Sequence, residues 1–254
     1  MKSIIRRAKK RLLRMHFESQ VGHIGGNLSA LDAMIVLHHR VMRDGDAFVL
    51  AKGHAAGALY VTLWSIGRLS EEQLSTFHGE GTHLSAHPAA WLPEIPFATG
   101  SLGHGLPDAA GIALGYKLQN RPGHIYCLTS DGEWQEGSNW EALIFARRHE
   151  LDNLTVMIDE NRLQGFGTTR EVASMHPLAQ KFSGFSLDLT VVDGHDAEAV
   201  QHALCIPVRS GPRFIILKTI KGHGISFMEN AMKWHYLPLN KEQYCVALEE
   251  IDSE

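Results

Sequence analysis

Short apolar runs without polar alternation recur along the second half of the chain, and helical stretches separate them. We predict strands at residues 125–130, 154–158, 187–192 and 214–218, with a helix at 139–149. A strand that is apolar on both faces must be covered on both sides, and strands joined through helices run parallel with right-handed crossovers. The pattern therefore predicts an α/β fold with a doubly wound, mostly parallel sheet flanked by helices.

The N-terminal part of the chain holds two stretches in which apolar residues recur at helical spacing. Residues 4–19 predict a basic amphipathic helix, and residues 29–41 predict a second helix, with Ser29 as its N-cap and Asp32 as the reciprocal partner. The acidic C-terminal tail is expected to fray. Because no repeat, low-complexity tract or proline-rich linker divides the sequence, we predict a single domain over residues 1–254.

Charge and composition exclude several classes of protein. The 24 basic and 28 acidic side chains are spread along the chain and leave a net charge of -4, so no general field attracts nucleic acid or a membrane. No apolar segment approaches the length of a membrane span, and the N-terminus lacks the apolar core of a signal peptide. Cys127, Cys205 and Cys245 are widely spaced and are predicted to be reduced. These features predict a cytoplasmic protein.

The ends of two predicted strands carry oxygen ligands suited to a hard cation. Asp131 follows the first strand, and Asn161 comes thirty residues later, after the next one. One helix-and-strand crossover returns the chain to the same edge of the sheet, so both side chains and the Leu163 carbonyl are expected to converge. We predict a Mg²⁺ site there, open to diphosphate oxygens, with Gly132 allowing close approach of a phosphate. Taken alone, the Asp-Gly pair also suits an ordinary turn.

Two segments around these residues resemble a known family. Residues 130–142 read Ser-Asp-Gly-Glu-Trp-Gln-Glu-Gly-Ser-Asn-Trp-Glu-Ala, and residues 151–164 read Leu-Asp-Asn-Leu-Thr-Val-Met-Ile-Asp-Glu-Asn-Arg-Leu-Gln. Both are similar over their whole length to the thiamine-diphosphate signature of transketolases, and further matching motifs extend through nearly the entire chain. The signature normally begins Gly-Asp-Gly, whereas Ser130 stands first here. A serine would be strained at that position only if φ were positive.

The resemblance implies catalytic roles for four histidines. His23, His54 and His87 lie in glycine- or proline-marked turns that match the family's motifs, where the corresponding histidines face the thiazolium and the sugar. His235, which follows Trp234, is the fourth candidate, and His223 is a weaker competitor for its place.

The resemblance also implies a set of cofactor-binding residues: His54, Ser101, Leu102, Gly103, Gly132, Glu136, Asn161 and His235. The glycine loop departs from the family in having His104 where glutamine is usual. Glu136 matches an acid that helps couple two cofactor sites across a dimer, although an acid in the first turn of a helix is also stabilised by the helix dipole.

By resemblance, the chain is the diphosphate-binding, α-type half of a split transketolase with the thiamine-diphosphate-binding fold. Full-length relatives are more than twice as long, and their pyrimidine-binding domain has no counterpart in this sequence. We therefore expect the partner to be a separate C-terminal, pyrimidine-binding subunit, in an α2β2 heterotetramer. The implied cofactors are thiamine diphosphate and Mg²⁺, or Ca²⁺ or Mn²⁺ in its place. The implied reaction moves a two-carbon ketol unit from a ketose, usually a phosphate, to an aldose acceptor.

Other interpretations differ in their chemistry. The α subunit of a 2-oxo acid dehydrogenase shares the Asp-Gly and Asn metal loop, but the motifs at residues 52–55 and 136–137 favour a transketolase. A 1-deoxyxylulose-5-phosphate synthase is a long single chain. A non-catalytic, decayed diphosphate-binding subunit would account for Ser130 and His104, whereas the retained metal ligands and turn histidines favour an active protein. A dinucleotide-binding fold lacks its G-x-G-x-x-G motif here.

Overall fold

A computed structural model describes residues 1–208 and 210–253, and a five-stranded sheet forms its centre. The strands are β1 (Ala47–Leu50), β2 (Ile125–Ser130), β3 (Leu154–Glu160), β4 (Leu163–Gln164), β5 (Gly167–Thr168), β6 (Asp188–Asp193) and β7 (Arg213–Lys218). The order across the sheet is β1-β2-β3-β7-β6, and each neighbouring pair is parallel. β4 and β5 form a separate antiparallel hairpin. The predicted doubly wound, mostly parallel architecture is confirmed.

Helices cover both faces of the sheet. They are α1 (Lys2–Ser19), α2 (Ile24–Val36), α3 (Ala56–Ser65), α4 (Glu71–Ser75), α5 (Gly105–Leu118), α6 (Gly137–Arg148), α7 (Thr169–Ala173), α8 (Leu178–Phe182), α9 (Ala197–Cys205) and α10 (Lys241–Ser253). α1, α2, α3, α9 and α10 share one buried cluster with the sheet, and α5, α6 and α8 share the other. In the part of the chain that the structure describes, no helix is both long and apolar enough to cross a bilayer.

Successive residues of the central strands point to opposite helical layers. In β2, Tyr126 and Leu128 pack with the layer of α1 and α2, whereas Ile125 and Cys127 pack with the layer of α5 and α6. All four side chains are buried. Because both faces of the strand are covered, the first four residues of β2 form an uninterrupted apolar run instead of alternating with polar residues, which is why the strand could be recognised.

Two local predictions were wrong. α2 begins at Ile24 with His23 as its N-cap, so Ser29 lies inside the helix. The Ser29 hydroxyl donates instead to Asp159 of β3 at 2.6 Å, a long-range contact that the capping pattern cannot reveal. The C-terminal tail does not fray, because it forms α10, which packs against α1 with Ala247 and Ile251 buried.

The strand order creates a crevice at the carboxyl end of the sheet. The chain crosses from β1 to β2 to β3 in one direction, passes to the edge strand β6, and returns to place β7 beside β3. Neighbouring strands whose connections leave in opposite directions open a cleft above their carboxyl ends, and ligands of doubly wound sheets bind in such clefts. The segments after β2, β3 and β7 are therefore expected to form a ligand-binding site.

Candidate functional site

A buried ion pair lies at the carboxyl end of β3. Lys52 follows β1 in the chain. Its ammonium pairs with the Asp159 carboxylate, and neither side chain is exposed. Lys52 also donates to the Gly26 carbonyl of α2 at 3.0 Å. Burying two charges is costly unless each is paired and hydrogen-bonded, so this pair requires its full set of partners.

Asp159 is the point where several segments meet. Its Oδ2 accepts from Ser29 and, at 3.3 Å, from Asn161 Nδ2, while its Oδ1 accepts from the Thr219 hydroxyl after β7. Burial alone would raise the pKa of Asp159, but the charge of Lys52 and these hydrogen bonds outweigh burial and hold that pKa below its ordinary value. The ionised carboxylate thus ties α2, β1, β3 and β7 together.

The predicted metal ligands lie on neighbouring segments next to this pair. Asp131 Oδ1 accepts from the Gly132 N–H at 2.8 Å, and its Oδ2 accepts from the Arg162 N–H at 2.6 Å, which joins the ends of β2 and β3. Asn161 Oδ1 accepts from the Leu163 N–H at 3.0 Å. Hard divalent cations prefer carboxylate, amide and peptide oxygens. Asp131 offers a carboxylate, Asn161 an amide oxygen and Leu163 a peptide carbonyl. The backbone bonds fix the two side chains while their oxygens keep further lone pairs for a cation.

The loop around Asp131 accommodates the departure from the Gly-Asp-Gly pattern. Ser130 is a regular residue of β2 and does not have a positive φ, so a serine is unstrained there. Gly132 has little room for a side chain, because an added Cβ would stand 3.0 Å from Gln164 Oε1. Burial, with a smaller contribution from the charge on Asp159, raises the pKa of Asp131 to about 7. A bound cation would favour the ionised carboxylate.

Lys221 is a second buried cation at this place, and the motifs did not single it out. Its ammonium donates to the Leu163 carbonyl at 3.2 Å and to His235 Nδ1 at 3.1 Å. Burial, followed by the charge of Lys52, lowers the pKa of Lys221 to about 8. An anionic ligand would favour the charged ammonium, so Lys221 complements a diphosphate beside the candidate metal ligands. The signal that could have found Lys221 is its position just after the end of a predicted strand.

The four candidate catalytic histidines form a cluster over the crevice. The His23 ring centroid lies 5.7 Å from that of His54, 5.5 Å from that of His87 and 5.0 Å from that of His235. The His23 N–H also donates to the His235 carbonyl at 3.0 Å. The competitor His223 lies elsewhere, with its ring stacked on His195. The structure thus brings the four residues together, and their catalytic roles stay predictions.

The clustered imidazoles are held neutral. Burial, with smaller contributions from nearby cationic and imidazole groups, lowers the pKa of His23 to about 4 and of His235 to about 3. Burial also places the pKa of His54 well below its ordinary value and lowers the pKa of His87. Within the described residues, the buried His23 Nδ1 has no hydrogen-bond partner. A neutral imidazole offers one donor and one acceptor, so the cluster suits hydroxyl and carbonyl groups of a ligand.

The glycine loop before α5 is held by Glu133, which the motif analysis also did not assign. Glu133 is fully buried and accepts from the Gly103 N–H at 2.9 Å and from the Ser130 N–H at 3.3 Å. The Gly103 carbonyl accepts from Ser138 Oγ at 2.6 Å. Gly103 has a φ of 85°, and an added Cβ would stand 2.6 Å from the Glu136 Cβ. Both backbone groups of Gly103 are used within the protein, so this residue shapes the loop.

The remaining candidate cofactor residues lie at the rim of the crevice or beside the loop. Ser101 and His104 are exposed, and Leu102 is half-buried. Glu136 is exposed and immediately precedes α6, but its side chain does not cap that helix. Glu136 thus stands at the N-terminus of α6, where the helix dipole favours a carboxylate, and both this interpretation and the coupling role stay predictions.

Comparison with known proteins points to one family. Residues 9–250 match the family described as "Transketolase, thiamine diphosphate binding domain". The chain is 37% identical over 254 residues to an apulose-4-phosphate transketolase subunit of Phocaeicola vulgatus, a match that covers 96% of this chain and 90% of that protein. It is 35% identical over 246 residues to a 6-deoxy-6-sulfo-D-fructose transketolase subunit from a Clostridium species, covering 92% and 90%.

Longer relatives match over part of their length. Human transketolase is 36% identical over 243 residues, which is 92% of this chain and 39% of the human protein. The crystal structure of transketolase from Campylobacter jejuni superposes with a TM-score of 0.89 at 29% identity, and the match covers 98% of this chain and 43% of that chain. The chain thus spans most of the subunit relatives and less than half of the longer transketolases.

The first prediction concerns the buried ion pair. Lys52→Met leaves Asp159 charged, buried and without its counter-ion, so we expect the free energy of unfolding to fall by about 3–5 kcal/mol. Lys117→Met is the matched control, because Lys117 pairs with Asp152 at the surface, where loss of a pair costs about 0–1 kcal/mol. Urea unfolding followed by circular dichroism measures both. Equal destabilisation by the two variants would contradict the role given to the buried pair.

The second prediction concerns how the free energy of unfolding changes as the pH falls. Unfolded histidine has a pKa of about 6.5, whereas folded His23 titrates near 4 and His235 near 3. Between these values the unfolded state binds more protons, so the histidine contribution to the free energy of unfolding falls as the pH decreases from about 6.5 to 4. Asp131 and Glu133 have pKa values raised to about 7 and act with the opposite sign, because the folded chain binds their protons first.

The histidine contribution can be isolated by substitution. His235→Gln removes one ring that cannot protonate in the folded chain, so we expect this variant to lose less stability than wild type between pH 6.5 and pH 4. Urea unfolding at a series of pH values measures the difference. The prediction is wrong if the two proteins show the same pH dependence.

Proposed function

The chain belongs to the family of transketolase thiamine-diphosphate-binding domains, and from this premise we propose that it is the diphosphate-binding subunit of a two-chain transketolase. The enzyme moves a two-carbon ketol unit from a ketose or ketose phosphate to an aldose acceptor. One observation carries the proposal: oxygen ligands for a cation, a buried lysine and a cluster of neutral histidines meet in a single crevice. Residues 1–254 act as one diphosphate-binding domain, in the cytoplasm.

The residues of the crevice fit a diphosphate held by Mg²⁺. Asp131, Asn161 and the Leu163 carbonyl would hold the cation, because Mg²⁺ prefers oxygen ligands and is coordinated jointly by protein and phosphate oxygens. Ca²⁺ and Mn²⁺ accept the same donors. The Lys221 ammonium would pair with a diphosphate oxygen, since it already lies beside the Leu163 carbonyl. Gly132 lets the loop pack against Gln164, because an added Cβ would stand 3.0 Å from Gln164 Oε1.

The histidines would bind the sugar and move its protons. Bound thiamine diphosphate supplies the nucleophilic carbon and the electron sink that carbon–carbon bond cleavage requires. His235 Nδ1 accepts from Lys221, so its Nε2 carries the proton and can donate to a substrate oxygen. The buried Nδ1 of His23, which has no partner among the residues that the structure describes, suits a hydrogen bond to the ligand. A neutral imidazole can take a proton from a hydroxyl and return it, which is general acid–base work.

A pyrimidine-binding subunit completes the enzyme. Support comes from the extent of the matches, since the match covers 90% of the Phocaeicola vulgatus protein but 39% of human transketolase. Apolar rings also lie exposed next to the histidine cluster: Tyr236 is 54% exposed and its hydroxyl donates to the Gly165 carbonyl, and Phe166 is 84% exposed. The partner would cover these rings and close the site, with two such pairs forming an α2β2 heterotetramer.

The identity of the ketose donor does not follow from the type of reaction. The names of the two subunit relatives point to different donors, apulose-4-phosphate and 6-deoxy-6-sulfo-D-fructose. Sequences 35–37% identical to this chain therefore serve different ketoses, so family membership supports ketol transfer and leaves the donor to be found by assay.

The test is ketol transfer by the chain together with its pyrimidine-binding partner, thiamine diphosphate and Mg²⁺, over a panel of ketose donors and aldose acceptors. We expect transfer to require the partner and to be abolished by a chelator. Asp131→Ala removes a metal ligand and should lower the rate by about 100-fold or more. Asp152→Ala should leave the rate unchanged, because Asp152 is a surface residue paired with Lys117.

Two outcomes would contradict the proposal. Full activity of this chain without a partner would show that it is not half of an enzyme. Decarboxylation of a 2-oxo acid with no ketol transfer to any acceptor would favour the α subunit of a 2-oxo acid dehydrogenase.

A further inference from the structure

A second group of titratable side chains lies outside the histidine cluster. Asp32 of α2 is buried, and its Oδ2 lies 2.8 Å from His195 Nδ1 and 3.6 Å from His223 Nδ1. The rings of His195 and His223 are stacked with centroids 3.5 Å apart. Although burial alone would raise the pKa of Asp32, the hydrogen bond from His195, the nearby His223 and the charge of Lys9 lower that pKa to about 2, so the carboxylate is ionised.

The hydrogen bonds of His195 fix its tautomer. The Ile220 N–H donates to His195 Nε2 at 2.9 Å, and a peptide N–H can only donate. Nε2 is therefore an acceptor, and Nδ1 carries the proton that is donated to Asp32. The imidazole is thus held between helix α2 and the segment after β7, with both nitrogens used.

The same geometry argues against a metal ion at this group. The ligand atoms of Asp32, His195 and His223 lie within 4.8 Å of one another, a spacing that a transition metal would suit. However, coordination through Nδ1 would place a proton on His195 Nε2, directly against the Ile220 N–H. The group is better suited to hold a backbone segment than to bind an ion.

The segment held by His195 carries Lys221. Ile220 immediately precedes Lys221, and the flanking anchors are the Thr219 hydroxyl on Asp159 and the Gly222 N–H on the Gly25 carbonyl at 2.9 Å. The Lys221 carbonyl also accepts from the Asn230 N–H at 2.9 Å. Between these anchors, the Ile220 N–H is held by its hydrogen bond to His195 Nε2. The Lys221 side chain is long and flexible, so the placement of its ammonium depends on where its backbone is held.

The turn that presents His195 is built for close approach. The Gly194 N–H donates to the Lys218 carbonyl at 2.8 Å, which ties the turn to the end of β7. An added Cβ on Gly194 would stand 2.5 Å from Thr219 Cγ2, so only glycine allows this contact. The His195 N–H donates to Asp193 Oδ1 at 2.9 Å, which closes the turn from the other side. The sequence Asp193-Gly194-His195 therefore sets the ring against the segment that carries Lys221.

We propose that His195, oriented by Asp32, is a positioning residue that holds the Ile220–Lys221 backbone so that the Lys221 ammonium meets the diphosphate of the cofactor. The inference rests on the proposed function for the identity of the ligand. It assigns to the two nitrogens of His195 different tasks: Nδ1 anchors the ring to α2, and Nε2 holds the segment.

Two amide substitutions separate these tasks. His195→Gln keeps an acceptor near the position of Nε2, whereas His195→Asn keeps a donor toward Asp32 and loses the acceptor. In the full-length chain, we expect hydrogen exchange of the Ile220 amide to become about fivefold faster in His195→Asn, as loss of one hydrogen bond predicts, and to stay close to wild type in His195→Gln. Thermal unfolding of both variants is the control for a general loss of structure.

Cofactor affinity gives the second measurement. In the complex with the pyrimidine-binding partner and Mg²⁺, calorimetric titration should show a Kd for thiamine diphosphate about tenfold weaker in His195→Asn than in His195→Gln, with kcat at saturating cofactor retained. Unchanged Ile220 exchange and unchanged Kd in His195→Asn would overturn the inference while leaving the proposed function intact. A wild-type complex that binds no thiamine diphosphate would instead overturn the proposed function, and the exchange data would still decide whether His195 holds the segment.

Discussion

The ion pair between Lys52 and Asp159 is the constraint on which the candidate site depends. A charged pair without exposure is stable only when its remaining donors and acceptors are satisfied, so Ser29 and Thr219 must lie within hydrogen-bond reach of Asp159. That requirement fixes α2 and the end of β7 relative to β3. Asn161 follows Asp159 by two residues and Lys221 follows Thr219 by two residues, so the candidate ligands for metal and diphosphate inherit their positions from this pair.

The protonation of the crevice is matched to a ligand that carries both a cation and an anion. Asp131 has a raised pKa, which a bound cation would lower, and Lys221 has a lowered pKa, which a bound anion would raise. Binding of a metal diphosphate, as proposed, would therefore be linked to ionisation of these two groups. The neighbouring histidines differ from these two groups, because burial lowers their pKa and keeps the imidazoles neutral. Each neutral imidazole can donate one hydrogen bond and accept another.

The sequence allowed prediction of the features that repeat or that lie in local motifs. β2 was predicted with its observed bounds because both of its faces are buried. The strand ends indicated Asp131 and Asn161, and the family resemblance indicated the four histidines, whose rings the structure places in one cluster. The short strand β1 was not predicted, because its four residues are too few to show a hydrophobic pattern that distinguishes a strand. Ser29 and Asp32 fitted a helix cap and instead bond to Asp159 and His195, more than a hundred residues away. Glu133 bonds to Gly103 thirty residues away, a contact that no local pattern encodes, and the local signal for Lys221 was only its position after a predicted strand.

The most direct test of this account is calorimetric titration of the chain, mixed with its proposed partner subunit, with thiamine diphosphate. The titration is made with Mg²⁺ and again with a chelator, and both are repeated with thiamine. We predict saturable binding of one thiamine diphosphate per chain with Mg²⁺, and binding of thiamine that is much weaker, because thiamine offers nothing to Asp131, Asn161, Leu163 or Lys221. Equal affinity for the two ligands, or binding of thiamine diphosphate that is indifferent to the metal, would contradict the assignment of this crevice as a metal-diphosphate site.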